Sequence, residues 1–352
     1  MAEIRIANQK IGANKGVFVI AELSANHNQD FALAKKTVKA IAKSGADAVK
    51  LQTYTPDSIT LDSDKKYFQI KQGSPWDKMT YYKLYEQAYT PWDWQPKLKK
   101  YAEELGLVCF SSPFDNKAVD FLEKMDVPTY KIASFEITDV NLIDYVARKK
   151  KPVIISTGIA KLKDIELAVS TCNKAGNNQI ALLKCTSAYP APIDEMNLLT
   201  IPDMAKRFKT VVGLSDHSLD RITPIVAASL GAKIIEKHFI LDRKVGGPDA
   251  LFSLEPNEFA QMVKDIRNAE QVMGKATYQL SEKQKKARQN ARSLFVVSDI
   301  KKGERLRPDN IRSIRPSDGL HPKFYKKALN CLARRGLKAG TPLSLNDLEK
   351  LK

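Results

Sequence analysis

Short polar strings recur along this chain, each placed where an apolar run ends. His217 follows Gly213-Leu214-Ser215-Asp216, and His238 follows Glu236-Lys237. Lys50 leads Leu51-Gln52, and Lys131 leads Ile132-Ala133-Ser134-Phe135-Glu136. Glu22 lies near the end of Val17–Leu23, ahead of Asn26-His27-Asn28. Ser111-Ser112, Ser156-Thr157-Gly158 and Lys184-Cys185-Thr186-Ser187, with Tyr189 beyond, close three further runs. Imidazole is a common ligand of divalent transition metals, and two imidazoles leave positions for water and substrate, as a catalytic site requires. Lysines in apolar surroundings need anions, because an unpaired buried charge is costly, and hydroxyls beside them are neutral donors for phosphate or carboxylate oxygens. A strand-end lysine could also form a Schiff base, with Lys131 the obvious candidate. Lys50 and the hydroxyls beside it speak instead for an anion cradle. The residues alone point to a metal-assisted enzyme acting on a small phosphorylated or carboxylated substrate.

Such strings cooperate only if the fold brings them to one place. Eight β-branched runs are strand candidates: Val17–Leu23, Ala48–Thr53, Val108–Pro113, Thr129–Ser134, Val153–Gly158, Ile180–Ser187, Val211–Ser218 and Ile234–Ile240. Between them, apolar residues recur at three- and four-residue spacing, which predicts helices over Phe31–Ser44, Trp94–Leu105, Asn116–Met125, Asn141–Arg148, Lys163–Ala175, Met196–Phe208 and Arg221–Leu230. Phe259–Met273 closes the series. This alternation predicts an α/β fold, a (β/α)8 TIM barrel, whose reactive groups stand at the carboxyl ends of the strands. No Gly-x-Gly-x-x-Gly or Walker motif favours an open sheet. Residues two apart on a strand face the same side, so Lys50 and Gln52 share a face, as do Ser215 and His217, and Glu236 and His238. Closure makes the last two strands neighbours and lets His217 approach His238.

One connection, Tyr54–Gln95, is too long for an ordinary βα loop and holds Trp76, Trp92, Trp94, Tyr67, Tyr81, Tyr82, Tyr85 and Tyr89. Its place at the reactive end predicts a cover over the substrate, although any one aromatic could simply pack the insertion down. Gly274–Arg292 is polar and reads as a linker. Beyond it, Ile300–Ile311 is echoed by Leu337–Leu348, with Gly303 matching Gly340 and Asn310 matching Asp347, which predicts a small turn-rich β domain. The expected division is a catalytic barrel over 1–280, then a linker and tail domain over 281–352.

The 352 residues are 43% hydrophobic and 28% charged, a globular composition that excludes disorder and disulfide-framed mini-proteins. The four cysteines are widely spaced, no apolar run is long enough to span a membrane, and Met1-Ala2-Glu3-Ile4-Arg5 lacks the apolar stretch of a secretory signal. A reduced, cytoplasmic protein is expected, with no membrane partner. The net charge of +17 is concentrated in the tail, but no nucleic-acid-binding motif accompanies it, and no nucleic-acid partner is expected.

The ordered motifs carry a resemblance. Ala21-Glu22-Leu23-Ser24-Ala25-Asn26-His27-Asn28, Lys50-Leu51-Gln52, Phe110-Ser111-Ser112-Pro113-Phe114 and Tyr130-Lys131-Ile132-Ala133-Ser134 resemble the sialic acid synthase family. Ser156-Thr157-Gly158, Gly213–His217, Glu236-Lys237-His238-Phe239 and Gly247-Pro248-Asp249 continue the match. The tail, with Arg315-Pro316-Ser317-Asp318-Gly319, is similar to that family's antifreeze-like (SAF) domain. Within the family, Leu23-Ser24-Ala25, the missing Gly after Asn28, and the insertion from Gly73-Ser74-Pro75-Trp76-Asp77 to Trp94 look most like the pseudaminic acid synthases.

The resemblance implies condensation of phosphoenolpyruvate with an N-acetylated amino sugar, the acceptor being a 2,4-diacetamido-2,4,6-trideoxy hexose related to L-altrose. N-acetylneuraminate or legionaminate synthesis is the alternative. The resemblance also implies that Lys50, Ser112, Lys131, Ser134, Ser156, Tyr189 and Ser215 hold phosphoenolpyruvate, and that Glu136, Asp249 and Arg315 contact the sugar. Gln52 and Ser187 join the substrate-binding set, although Ser187 departs from the Asn that neuraminate synthases often carry. Glu22 leads as acid–base residue and Glu236 follows. His217 and His238 would hold a divalent Mn, Co or Mg ion, with His238 also counted catalytic. A homodimer is implied in which each tail caps its partner's barrel and delivers Arg315. A metal-dependent barrel aldolase or hydrolase, and a glycan-binding protein, are the rival classes.

Overall fold

The computed structural model describes residues 2–12, 14–71, 73–74 and 76–351, and Pro75 of the insertion motif lies outside them. It divides into two compact units, Met1–Gly274 and Lys275–Lys352, six residues earlier than the boundary expected from sequence.

In the first unit a hairpin, β1 (Glu3–Ile6) with β2 (Gln9–Gly12), precedes the strands β3 (Phe18–Glu22), β4 (Ala48–Thr53), β5 (Val108–Pro113), β6 (Tyr130–Ile132), β7 (Val153–Ser156), β8 (Ile180–Cys185), β9 (Val211–Asp216) and β10 (Ile234–His238). The strands β3 to β10 pair in parallel in chain order, and β10 returns to β3 to close the eight-stranded barrel. Strands that bury both faces need apolar or paired residues throughout, and every residue of β3, β9 and β10 is buried. The hairpin was not foreseen; Ile4, Ile6 and Ile11 pack into the same core as the strands.

Local chemistry sets where the helices begin. Asp30, Asp115 and Asp139 each accept hydrogen bonds from backbone N–H groups in the first turns of Phe31–Lys43, Asn116–Lys124 and Val140–Ala147. The first of these buries Ala34, Thr37, Val38 and Ile41, the stripe expected of a helix on a barrel. The helix expected over Met196–Phe208 starts only at Thr200, because Asn197 holds a left-handed backbone (φ 45°) that interrupts the coil. Each barrel strand also stops at or before the end predicted for it, so the polar residues of Thr157–Gly158 and His217–Ser218 lie in the loops that form the mouth.

In the second unit, the stretch expected to be a linker contains an exposed helix, Glu282–Arg288, started by a reciprocal capping box between Ser281 and Gln284. Strand β11 (Ser293–Val296) pairs antiparallel with β12 (Ile311–Ile314), and β13 (Cys331–Ala333) with β14 (Leu348–Lys350). The sequence echo is a structural repeat. Ile300 and Leu337 exchange both backbone hydrogen bonds at 2.8 Å. Equivalent turns follow at Lys301–Glu304 and Lys338–Thr341. Asn310 accepts from the Arg307 N–H at 2.7 Å, as Asp347 does from the Ser344 N–H at 2.9 Å.

Candidate active site

The carboxyl ends of the barrel strands surround a cavity of about 440 Å³. Its wall includes Lys50, Gln52, Lys131, Ser134, Glu136, Ser156, Tyr189, Ser215, His217, Glu236, His238 and Asp249. Twelve of the sequence-chosen residues therefore meet in one place, and the strand parity is the reason. Lys50 with Gln52, and Glu236 with His238, point inward from alternate positions, and His217 follows Ser215 just past the end of β9.

The floor is a chain of opposite charges. Lys50 Nζ lies 2.5 Å from Glu22 Oε2 and 3.0 Å from Glu236 Oε1, while Lys131 Nζ lies 3.2 Å from the same Glu236 oxygen. Ser112 accepts from Lys50 at 3.4 Å, and Ser215 donates to Glu236 Oε1 at 3.3 Å. The lysines thus already have anionic partners, so the bare anion cradle expected from sequence is a balanced network that an incoming anion must share. Burial, opposed by Glu236 and aided by Lys131, pulls Lys50 down to about 7. Burial pushes Glu236 up, yet the two ammonium groups outweigh it and hold the carboxyl at about 2.

Three expected residues of the first unit do not lie on the cavity wall. Glu22 is completely buried, with its carboxylate committed to Lys50 and, at 3.4 Å, to Gln52. Ser112 sits behind Lys50. Ser187 turns its Oγ toward Cys185 and Gly158, so closely that a Cβ at Gly158 would stand 2.0 Å from it. Glycine is needed there for that reason. Arg315 belongs to the second unit, where it is exposed just past β12.

The two histidine rings lie 5.4 Å apart, centre to centre. His217 Nδ1 lies 3.1 Å from the Thr186 carbonyl; a carbonyl can only accept, so Nδ1 carries a proton and Nε2 is the ring atom left to ligate a metal. Burial pulls the His217 pKa down, but Cys185 and the Thr186 carbonyl outweigh it and raise it, so an ion bound there must displace a proton. His238 Nδ1 is buried without a hydrogen-bond partner, and Asp249 Oδ2 is 3.8 Å away. Burial and the charges of His217, Lys50, Lys131 and Lys237 hold His238 well below the usual histidine range, hence neutral. An orphaned neutral imidazole beside one with a fixed tautomer is a donor set that fits a divalent ion. Among the described residues, no group of three or more His, Cys, Asp or Glu side chains could hold one by itself.

Other buried polar atoms on the wall lack partners: Glu136 Oε2, Ser156 Oγ and Glu236 Oε2. Unsatisfied groups are costly in a folded protein, and their convergence on one cavity marks a surface built for a ligand. Burial lifts Glu136 to about 7 and raises Asp249, which accepts from the Ala25 N–H at 3.3 Å.

Sequence reasoning missed several supporting groups. Cys185 Sγ is 3.8 Å from His217 Nδ1; burial pushes the thiol up, but His217, Ser134 and Lys131 outweigh it and leave it at about 7. Phe252 packs edge-on against His238 at 4.8 Å and touches Tyr189 and Trp76. Only the bare residue type could have flagged either one. His27 lies in the polar string after β3 but is structural. Its Nδ1 accepts from the Gln29 N–H and its Nε2 pairs with Thr90 Oγ1 at 3.0 Å, while burial holds it down to about 4. Asn26 donates to the Phe239 carbonyl and Ser253 Oγ, joining the loops after β3 and β10.

The insertion sorts its aromatics. Trp76, Tyr81 and Tyr85 line the cavity. Trp92 packs on Phe121, Trp94 packs on Phe31 and His27, and Tyr67 and Tyr82 sit outside the cavity wall.

Known proteins resemble the chain over this same architecture. A pseudaminic acid synthase of Helicobacter pylori is 48% identical over 333 residues, spanning 94% of this chain and 98% of its own. One from Campylobacter jejuni is 47% identical, spanning 96% and 98%. The crystal structure of an N-acetylneuraminic acid synthetase from Leptospira borgpetersenii superposes with a TM-score of 0.72 at 30% identity, covering 81% of this chain and 94% of that one. The SAF domain model matches residues 291–349. With the NeuB family model matching residues 37–278, from before β4 to beyond β10, the chain belongs to the NeuB family.

Proposed function

We infer that the chain condenses phosphoenolpyruvate with 2,4-diacetamido-2,4,6-trideoxy-L-altrose, releasing phosphate and forming pseudaminic acid, a nine-carbon 2-keto acid. The observation that carries this reading is the cavity floor, where two lysines, two glutamates and an orphaned imidazole converge, in a chain nearly half identical to two pseudaminic acid synthases.

The chemistry follows from the residues. Lys50 and Lys131 with Ser134, Ser156 and Ser215 offer donors to the phosphate and carboxylate of phosphoenolpyruvate, and an ammonium group has three protons to share. Glu136 and Asp249, also on the cavity wall, orient the amino sugar. The enol carbon attacks the sugar aldehyde, water adds to the cationic carbon left behind, and the tetrahedral adduct expels phosphate. Glu236 lines the cavity with Oε2 unpartnered and is better placed than Glu22 to take the proton from that water, because Glu22 is off the wall and committed to Lys50. His217 and His238 would hold a divalent ion such as Mn, Co or Mg, which would supply Lewis acidity for the aldehyde. The active form is a cytoplasmic homodimer in which Arg315 of one tail serves the partner's sugar site. No helix among the described residues is long and apolar enough to cross a membrane.

Incubation with phosphoenolpyruvate and a panel of N-acetylated hexoses tests the reading. Stoichiometric phosphate and the mass of pseudaminic acid are expected from the diacetamido sugar, turnover stops on exhaustive chelation, and one of the three ions restores it. Comparable efficiency with N-acetylmannosamine would move the chain to neuraminate synthesis, and full activity after chelation would remove the metal. For the dimer, inactive His238→Ala and Arg315→Ala subunits are mixed under exchange. Recovered activity is expected, since one site then carries neither defect; a mixture that stays inactive despite exchange refutes delivery in trans.

A further inference from the structure

The cavity is strongly two-sided. Its floor is ionic, but the part contributed by the long connection after β4 carries no charged group. There Ile59, Ile70, Leu84 and Ala88 form a patch without a single side-chain hydrogen-bonding atom. The patch is also firmly held. Beside it, Trp76 donates from Nε1 to the Pro248 carbonyl at 2.9 Å and packs on Tyr189 at 5.4 Å, and Tyr54 stands edge-on to Tyr85 and Phe114. Ile70 is 2% exposed and Leu84 8%, so neither can swing aside to admit water.

A hexose normally carries an oxygen on every carbon, with a hydroxyl at C6, and a hydroxyl pressed on such a patch would lose its water without gaining a partner. An acetamido group suits it no better, since its methyl comes with an N–H and a C=O that need partners nearby. A methyl joined directly to the sugar's own carbon chain suits it well. Taking the acceptor from the reading above, on which this inference rests, the C6 methyl is the one substituent of that kind. We propose that Ile59, Ile70, Leu84 and Ala88 form the subsite for the acceptor's C6 methyl, and that this patch is where the enzyme selects 6-deoxy over 6-hydroxy sugars.

The test compares kcat/KM for 2,4-diacetamido-2,4,6-trideoxy-L-altrose with that for its 6-hydroxy counterpart. An apolar pocket rejects an added hydroxyl only moderately, so a preference of about 10–100-fold for the 6-deoxy sugar is expected. Leu84→Asn should lower that preference at least ~5-fold by giving the hydroxyl a partner. Ile70→Thr, a smaller change that keeps the branched shape, guards against misfolding of the first variant and should move the ratio the same way. KM for phosphoenolpyruvate should stay unchanged in both, which separates a subsite from general damage. No preference in the parent enzyme, or a preference unchanged in folded, active variants, overturns the subsite while leaving the condensation reading intact. Turnover of neither diacetamido sugar, alongside turnover of another hexosamine, would instead break the underlying reading and the subsite with it.

Discussion

Strands β9 and β10 build two buried ionic groups, one residue out of step with each other. Facing the cavity, Ser215 and Glu236 join Lys50 and Lys131 in a network, and Glu236 Oε2 and the His238 Nδ1 on the same wall are left without hydrogen-bond partners. On alternate positions, Asp216 and Lys237 pair at 2.5 Å with both side chains fully buried. That second pair is complete, since Lys237 also donates to the Ser218 carbonyl and hydroxyl, and Asp216 accepts from the Ser218 N–H. It ties the loop after β9 to β10 and so fixes His217, which lies between Asp216 and Ser218. Burial of charge marks both groups equally; completeness of pairing separates them. The satisfied group holds the structure, and the unsatisfied one awaits a ligand.

That contrast can be broken experimentally. The largest effect is expected from Lys237→Met, which strands Asp216 in the interior and should cost about 3–5 kcal/mol in denaturant unfolding. Adding Asp216→Leu should recover most of the loss, because the double change removes the uncompensated charge. Lys131→Ala should divide differently. Glu236 keeps Lys50 and Ser215, so unfolding should shift much less than in Lys237→Met, while phosphoenolpyruvate affinity measured by calorimetry falls by about 2–4 kcal/mol. Equal unfolding losses in the two variants would abolish the distinction.

The smallest effect sharpens it through pH. Glu136 is raised from 4.5 to about 7 by burial, so the folded protein holds that proton more tightly than the unfolded chain does. Its ionisation therefore subtracts stability progressively as pH rises from about 4.5 to about 7, with no further change above. Glu136→Gln should gain stability relative to the parent through that window, by about 1–3 kcal/mol in total, and run parallel to it at higher pH. A difference that stays constant with pH would mean Glu136 is not held protonated.

The barrel was legible because its determinants are local and periodic. All eight strands lie within their predicted runs, and inward parity chose Lys50, Gln52, Ser215, Glu236 and His238 before any contact was known. The tail's echo was legible for the same reason, as the repeated Gly and Asn/Asp positions encode repeated turns. The β1–β2 hairpin escaped because its strands are only four residues long, too short for alternation to stand out. Residue type marked His27 and His217 alike, yet one is a neutral post between two loops and the other lines the cavity.

The sequence by itself determined which side chains reach the mouth of the barrel, since a strand's two-residue period is written in the chain. Only the tertiary structure decided what each one does there. Whether Glu22 or Glu236 meets the ligand depends on where Lys50 lies, 28 positions from one and 186 from the other. Whether an aromatic of the insertion lines the cavity or packs behind it depends on how that segment folds back over the closed barrel. Register and closure set those distances, and they arise from pairing between residues that no local pattern connects.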